Sequence, residues 1–294
     1  MAASPAGEAV TIANEEYKMT NKTRKIEACC ELLAMLRPKT YPFGIKFYET
    51  LEERPSGTTR PRHPMNTCQI TAIVRYYGRS MYFTADDMAC IVGGVTMGLI
   101  PEPEIMKNGE IAKMLHADLK SAREFTTQVA KIPCGKFKAV AVAPMAKLNF
   151  EPDIVVMYGN TAQVMRVVQG YLYEKGGRIH FSTGGEWSLC ADSIAQAYVS
   201  QDIALGLPCF GDRKTALAQE DEVTVAFPYS MYDKILEGMR QTAKVAAYPT
   251  PFDIGFPQMP DYTLTPWAVE YRRKHLKSRE DKGMSESDAL KSKE

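Results

Sequence analysis

Several kinds of chemistry are missing from this chain of 294 residues. No apolar run approaches the roughly 20 residues that cross a bilayer, so no membrane partner is expected. There is no HExxH, and the four histidines are scattered without a second one at ligand spacing, which removes the usual histidine-based zinc sites. Neither a GxSxG nor a recognisable Cys–His pairing occurs, so hydrolase chemistry has no support. GGVTMG and STGGEW are glycine-rich but are neither GxGxxG nor Walker loops, and they indicate no nucleotide site. Charge of one sign is lacking as well: 36 Lys and Arg against 35 Asp and Glu leave +1, which gives no reason to expect nucleic acid. The stretch MAASPAGEAVTIANEEYKM contains Glu8, Glu15 and Glu16 and lacks a long apolar core, so a secretory leader is not expected and the cytoplasm is. No CxxC pair occurs anywhere.

What the chain does have is seven cysteines. In a cytoplasmic protein these are free thiols, metal ligands or catalytic groups rather than disulfides, and the odd number points the same way. Hydrophobic residues are 45% and charged residues 24%, the balance of a folded protein with a sizeable core.

Residues 1–22 read as a polar arm and residues 273–294 as a charged, solvated tail. Between them, 23–272 read as one cysteine-containing domain of two similar halves, about 40–148 and 153–240. An amphipathic helix is predicted through KTRKIEACCELLAML, with Ile26, Cys29, Cys30, Leu33 and Leu36 near one face and Pro38 ending it. CQITAIVRYYG places Ile70, Ile73, Val74 and Tyr77 at helical spacing, with Gly78 as a stop. FGIKFYE, RSMYFT, FKAVAVAPM, PDIVVMYG, IHFSTGG, IALGLP and EVTVAFPY read as strands. ERPSGTTRPRHPMN is a long loop, and 101–136 a helical insertion. Further helices are predicted through TAQVMRVVQGYLYEKGG, CADSIAQAYVS and SMYDKILEGM, while Cys209 falls in a turn at the lip of a strand in GLPCFGDRK.

The order repeats. A strand, Cys68 opening a helix, a strand, Cys90 and the strand AVAVAPM are followed by a strand, Cys190 opening a helix, a strand, Cys209 and the strand VTVAFPY. The two cysteines are 22 residues apart in the first series and 19 in the second. This predicts a degenerate duplication: an α/β or α+β protein of two pseudo-symmetric halves in one compact unit. Symmetry of that kind brings Cys68, Cys90, Cys190 and Cys209 toward a shared interface. Helix N-termini favour the thiolates of Cys68 and Cys190, and several crowded thiolates require a cation. Structural zinc generally takes close C-x2-4-C pairs. Lone ligands on separate elements suit a [4Fe–4S] cluster better, and the lack of a C-x2-C-x2-C run argues against a small electron carrier. Taken singly, each of the four is more often a small core residue than a ligand; it is the four together, each at an element boundary, that point to a ligand set. Cys29 and Cys30 are assigned to packing, and Cys134 is either a fifth contact or a loop thiol.

NTCQI, DDMACIVGGVTMGL, EWSLCADSIAQ and GLPCFGDR, with PDIVVMYGNTAQVMRVVQG between them, resemble the domain-of-unknown-function-169 family over about residues 30–240. That family is common in anaerobic bacteria and archaea. The resemblance implies that Cys68, Cys90, Cys190 and Cys209 occupy the family's cysteine positions, and it implies no settled activity.

Two functions are carried forward. The first is an enzyme of anaerobic metabolism with a cysteine-ligated [4Fe–4S] cluster, taking a small anionic organic molecule or a coenzyme A thioester through a lyase- or isomerase-type or a reductive step. The alternative is a non-catalytic zinc or cluster protein with a structural or sensing role. Glu186, close before Cys190, is the candidate general acid or base. Arg213, beside Asp212, is the candidate anion fork, with a salt bridge fixing the turn as its plainer role. Arg54, Arg60, Arg62 and His63 form a basic loop that either binds an anion or is simply solvated. A homo-oligomer is compatible with all of this.

Overall fold

The computed structural model describes residues 26–245 and residue 270. The predicted arm and tail lie outside the described residues. The chain divides into two compact units, Met1–Pro251 and Phe252–Glu294, and every element below belongs to the first.

The strands are β1 (Phe43–Tyr48), β2 (Met81–Thr84), β3 (Ala139–Pro144), β4 (Ile154–Gly159), β5 (Ala204–Gly206) and β6 (Val223–Pro228). They form one sheet in the order β2-β3-β1-β4-β6-β5, and every neighbouring pair is antiparallel. With helices packed on such a sheet, the fold is α+β. Exchanging β1, β2 and β3 for β4, β5 and β6 leaves the strand order unchanged. The exchange turns about the central β1–β4 pair, where Phe43 faces Val156 and Ile45 faces Ile154.

The helices are α1 (26–36), α2 (Thr67–Tyr77), α3 (Ile91–Thr96), α4 (Glu104–Lys107), α5 (Leu119–Gln128), α6 (Thr161–Lys175), α7 (Gln196–Ser200), α8 (Phe210–Ala216) and α9 (Tyr232–Val245). A wide π-helical stretch, Ser188–Ala195, leads directly into α7. One face of the sheet packs Ile154, Val156 and Tyr158 against Ile70 and Val74 of α2 and Leu189 and Ile194 of the π stretch. The other face packs Val155 and Met157 against Leu32 and Leu36 of α1, Val164 and Val167 of α6, and Ile235 and Met239 of α9. Alternate residues of one strand thus enter two different cores. This is why the strand sequences read as continuous apolar runs even though the sheet is antiparallel, a type that often leaves one face in water.

Local signals set the helix ends. The Gln69 side chain accepts from the Asn66 backbone N–H at 2.9 Å to open α2, and Gln163 does the same for Asn160 at 2.8 Å to open α6. Gly78 closes α2 in the left-handed region at φ 64°. Where α6 crosses α9, Gly170 and Gly238 meet backbone to backbone: a Cβ on Gly238 would lie 2.1 Å from the Gly170 carbonyl oxygen.

Some predicted details differ. IHFSTGG joins no sheet; residues 176–187 run irregularly, and Phe181 is 50% exposed. Residues 210–216, read as a turn, form α8. On α1 the inward row is Cys29, Leu32 and Leu36, so Cys29 packs in the core while Cys30, about 100° further round the helix, is exposed. Tyr77, placed on the apolar face of α2, is 70% exposed because that helix ends at the next residue. No helix among the described residues is long and apolar enough to cross a membrane.

Candidate functional site

Cys68, Cys90, Cys190 and Cys209 all line one cavity of about 150 Å³, with Trp187 and Leu189 among its walls. Each cysteine is delivered by the start of a helix. Cys68 is the second residue of α2, and Cys90 is the cap of α3, its sulfur accepting from the Gly93 N–H at 3.4 Å. Cys190 lies in the first turn of the π stretch, where its thiol donates to the Trp187 carbonyl at 3.3 Å. Cys209 caps α8. Backbone N–H groups left free at such ends favour negative charge nearby.

Without a cation the cavity opposes that charge. Burial pushes the Cys68 thiol up to about 12, with further increases from Asp212, Cys209 and Cys90 against a hydrogen bond from Thr215. Burial likewise lifts Cys190 well above the ordinary thiol range, helped by Cys90, Cys209 and Cys68. Cys68 and Cys190 are therefore protonated and poorly nucleophilic at neutral pH. The sulfurs influence one another electrically, so a thiophilic cation placed among them would release the strain of ionising them together.

The donor set is soft and suits a thiophilic group. Among the described residues, no three His, Cys, Asp or Glu side chains are gathered closely enough for a single metal ion. Tetrahedral zinc would need its sulfurs about 3.8 Å apart, given Zn–S bonds of about 2.3 Å. A polar atom in the wall also lacks a partner: the buried Thr67 Oγ1 makes no hydrogen bond.

Beneath the cavity lies a buried polar network that binds α2 to α8. Asp212 is wholly buried; its Oδ2 accepts from Tyr158 Oη at 2.7 Å and its Oδ1 has no partner. Burial pushes its carboxyl up to about 6, against the Tyr158 hydrogen bond and the nearby Arg75. Arg75, seven residues after Cys68 and therefore on the same face of α2, lies 3.8 Å over the Tyr158 ring. It also meets Glu222 at 3.4 Å and donates to the Ala216 carbonyl at 3.0 Å.

The other predicted groups lie elsewhere. Glu186 is buried but is not a wall of the cavity; its Oε1 stands 3.7 Å from His116 Nδ1. Burial raises its carboxyl, with His116 opposing. Arg213 makes no fork with Asp212: its Nε donates to the Pro208 carbonyl at 2.9 Å and its Nη1 to the Gln219 carbonyl at 2.5 Å. In the basic loop, Arg54 donates to the Thr58 carbonyl and Arg60 pairs with Asp87 at 2.8 Å, while Arg62 and His63 are exposed. Cys134 is an exposed loop thiol away from the cavity. Sequence reasoning did not find Tyr158, Arg75, Glu222 or His116. Arg75 was the most accessible of these, as a cation continuing the row of Cys68 along a buried helix.

No solved structure matches the chain. It is 30% identical over 208 residues to an uncharacterized protein of the archaeon Methanocaldococcus jannaschii, covering 69% of this chain and 89% of that one. The family described as uncharacterised ArCR, DUF169, matches residues 31–238, which include the whole sheet and all four cavity cysteines. By that match the chain belongs to the DUF169 family.

Proposed function

We propose that Cys68, Cys90, Cys190 and Cys209 hold a [4Fe–4S] cluster, and that the protein is a cytoplasmic enzyme of anaerobic metabolism acting on a small anionic organic molecule or coenzyme A thioester. One observation carries this reading: four cysteines from four separate elements line a single cavity. Bound there, such a cluster supplies Lewis acidity at an open iron if three thiolates bind it, or a one-electron relay if four do. The protein's own residues supply the rest. Leu189 and Val92 keep the cavity dry, and the N-terminus of α2 favours the ionised Cys68. The Arg75–Tyr158–Asp212 network fixes α2 against α8, which keeps Cys68 and Cys209 in register. The exposed Arg62 and His63, on the loop leading to Cys68, favour an anionic substrate.

A second reading, a non-catalytic zinc or cluster protein with a structural or sensing role, is supported by the cavity's size, since about 150 Å³ leaves little room beside a metal group. Purification without oxygen separates a cluster from zinc. Brown protein with about four irons and four sulfides per chain supports the cluster, and colourless protein with one zinc supports the zinc form of the second reading. Cys209→Ser is expected to lose the colour and most of the iron. Full iron in that variant removes Cys209 from the site.

A further inference from the structure

The cavity is small for what the proposed enzyme must admit. Pockets that take small organic ligands run from about 300 to 1,000 Å³, against about 150 Å³ here. The cavity is open on one side and its four cysteines are part-exposed, so a ligand larger than this space fits around the thiols only if a wall moves. Among the large apolar side chains of the wall, Val92 and Leu189 are carried by helices, and Trp187 by irregular backbone. It ends the irregular stretch 176–187, and its backbone is held in the left-handed region at φ 54°, a costly conformation for a residue with a large side chain.

The grip on this residue comes from the insertion that carries α5. The Phe125 ring meets the Trp187 indole edge-on, with centroids 4.9 Å apart and planes at 63°. His116 also lies against Phe125, with centroids 5.2 Å apart, and its Nδ1 stands 3.7 Å from Glu186 Oε1, on the residue before the tryptophan. Gly184 makes room for the ring, since a Cβ there would lie 2.1 Å from Phe125 Cε2. His116 Nδ1 also lies 2.9 Å from the Ala112 carbonyl, which fixes the imidazole to the insertion. The insertion and the 183–187 loop therefore meet through a ring stack and one polar contact rather than through a sheet or helix ladder.

We propose that the Trp187 indole is a gate on the thiol cavity, latched by Phe125 and by the His116–Glu186 contact, and that it sets the size of ligand that reaches the cysteines. What passes the gate rests on the reading of the cavity as the working site. The barrier itself is a property of these residues and is measurable without any metal.

The full-length chain, freed of metal and kept reduced, would be alkylated with N-ethylmaleimide and each cysteine followed by peptide mass spectrometry. Exposed Cys30 and Cys134 set the unhindered rate, and buried Cys29 reports loosening of the whole fold. Phe125→Leu, which keeps an apolar side chain but loses the ring edge, is expected to speed labelling of the cavity cysteines about tenfold, the upper reach of one aromatic pair. Glu186→Gln is expected to speed it a few-fold. Cys29 stays protected in both. Cavity cysteines that keep the wild-type rate in both variants, or that accelerate only in step with Cys29, overturn the gate. Iron and sulfide assays on the same chain before metal removal test the cluster separately, so a gate around metal-free thiols and a cluster without a gate are distinguishable results.

Discussion

Replacing Asp212 with asparagine is expected to make the metal-free chain more stable at neutral pH. The carboxyl is wholly buried, and burial lifts it from 3.8 to about 6 despite the Tyr158 hydrogen bond and Arg75. A folded state that holds a proton more tightly than the unfolded chain binds more protons between those two values. Stability from this group is therefore fully present below about pH 4 and is lost as pH rises through 6. At about 1.36 kcal/mol per pH unit, the cost above pH 6 is about 3 kcal/mol. Asparagine keeps an oxygen that accepts from Tyr158 and carries no charge to bury. Urea unfolding of both proteins between about pH 4 and pH 7 measures the effect. The stability difference should be near zero at the acid end and approach about 3 kcal/mol at neutrality. Asp192, also lifted to about 6 by burial, titrates in the same window, so the informative quantity is the difference between variant and wild type. A difference that is flat with pH, or negative at neutrality, refutes the reasoning. If it grows as expected, Asp212 is a residue kept at a cost in stability, and its charge bears directly on Cys68.

Two further substitutions test the frame around the site. Arg75→Met leaves the carboxylate of Glu222, 3% exposed, buried without its partner, and is expected to lower stability by about 3–5 kcal/mol, seen as a lower urea midpoint. Adding Glu222→Leu should return much of that loss, and no recovery would show that the pair is not the cause. Gly238→Ala forces a methyl group to within 2.1 Å of the Gly170 carbonyl oxygen, so α6 and α9 must separate. A loss of about 1–3 kcal/mol in thermal unfolding is expected, and an unchanged melting temperature would mean that the crossing is looser than its geometry.

The strands were legible because each is an apolar run of a few residues bounded by turn residues, and α2 because of its apolar spacing and Gly78; the Asn-x-x-Gln boxes at Asn66 and Asn160 are a signal that reading left unused. The repeated order of cysteines and strands led to the cavity, since a strand order unchanged by exchange of its halves brings sequence-distant helix starts together. The misreadings have physical causes. IHF alternates like a strand, but it pairs with no strand and leaves Phe181 half exposed. GDRK reads as surface, yet α8 turns Asp212 inward to Tyr158 and leaves Arg213 to tie two backbone carbonyls. His116 lies about seventy residues before Glu186, and no local pattern links them.

The exchange that leaves the sheet unchanged does not leave the surroundings of the sulfurs unchanged. Three residues after the capping Cys209 stands Asp212, and three after the capping Cys90 stands Gly93, whose N–H meets the sulfur itself. Tyr158, the fifth residue of β4, donates to Asp212, while the fifth residue of β1 is Phe47, packed on Phe137 and Tyr198. The α2–α8 side of the cavity therefore rests on a carboxyl, a phenol and a guanidinium, and the side formed by α3 and the π stretch on the buried carboxyl of Asp192, which accepts from Thr183, and on the Trp187 wall. Four like sulfurs in a symmetric frame thus have a buried carboxyl near each half, and of the two Asp212 is the one with a guanidinium beside it. Cys68 is coupled to Asp212, and Cys190 to Cys90, each across the two halves.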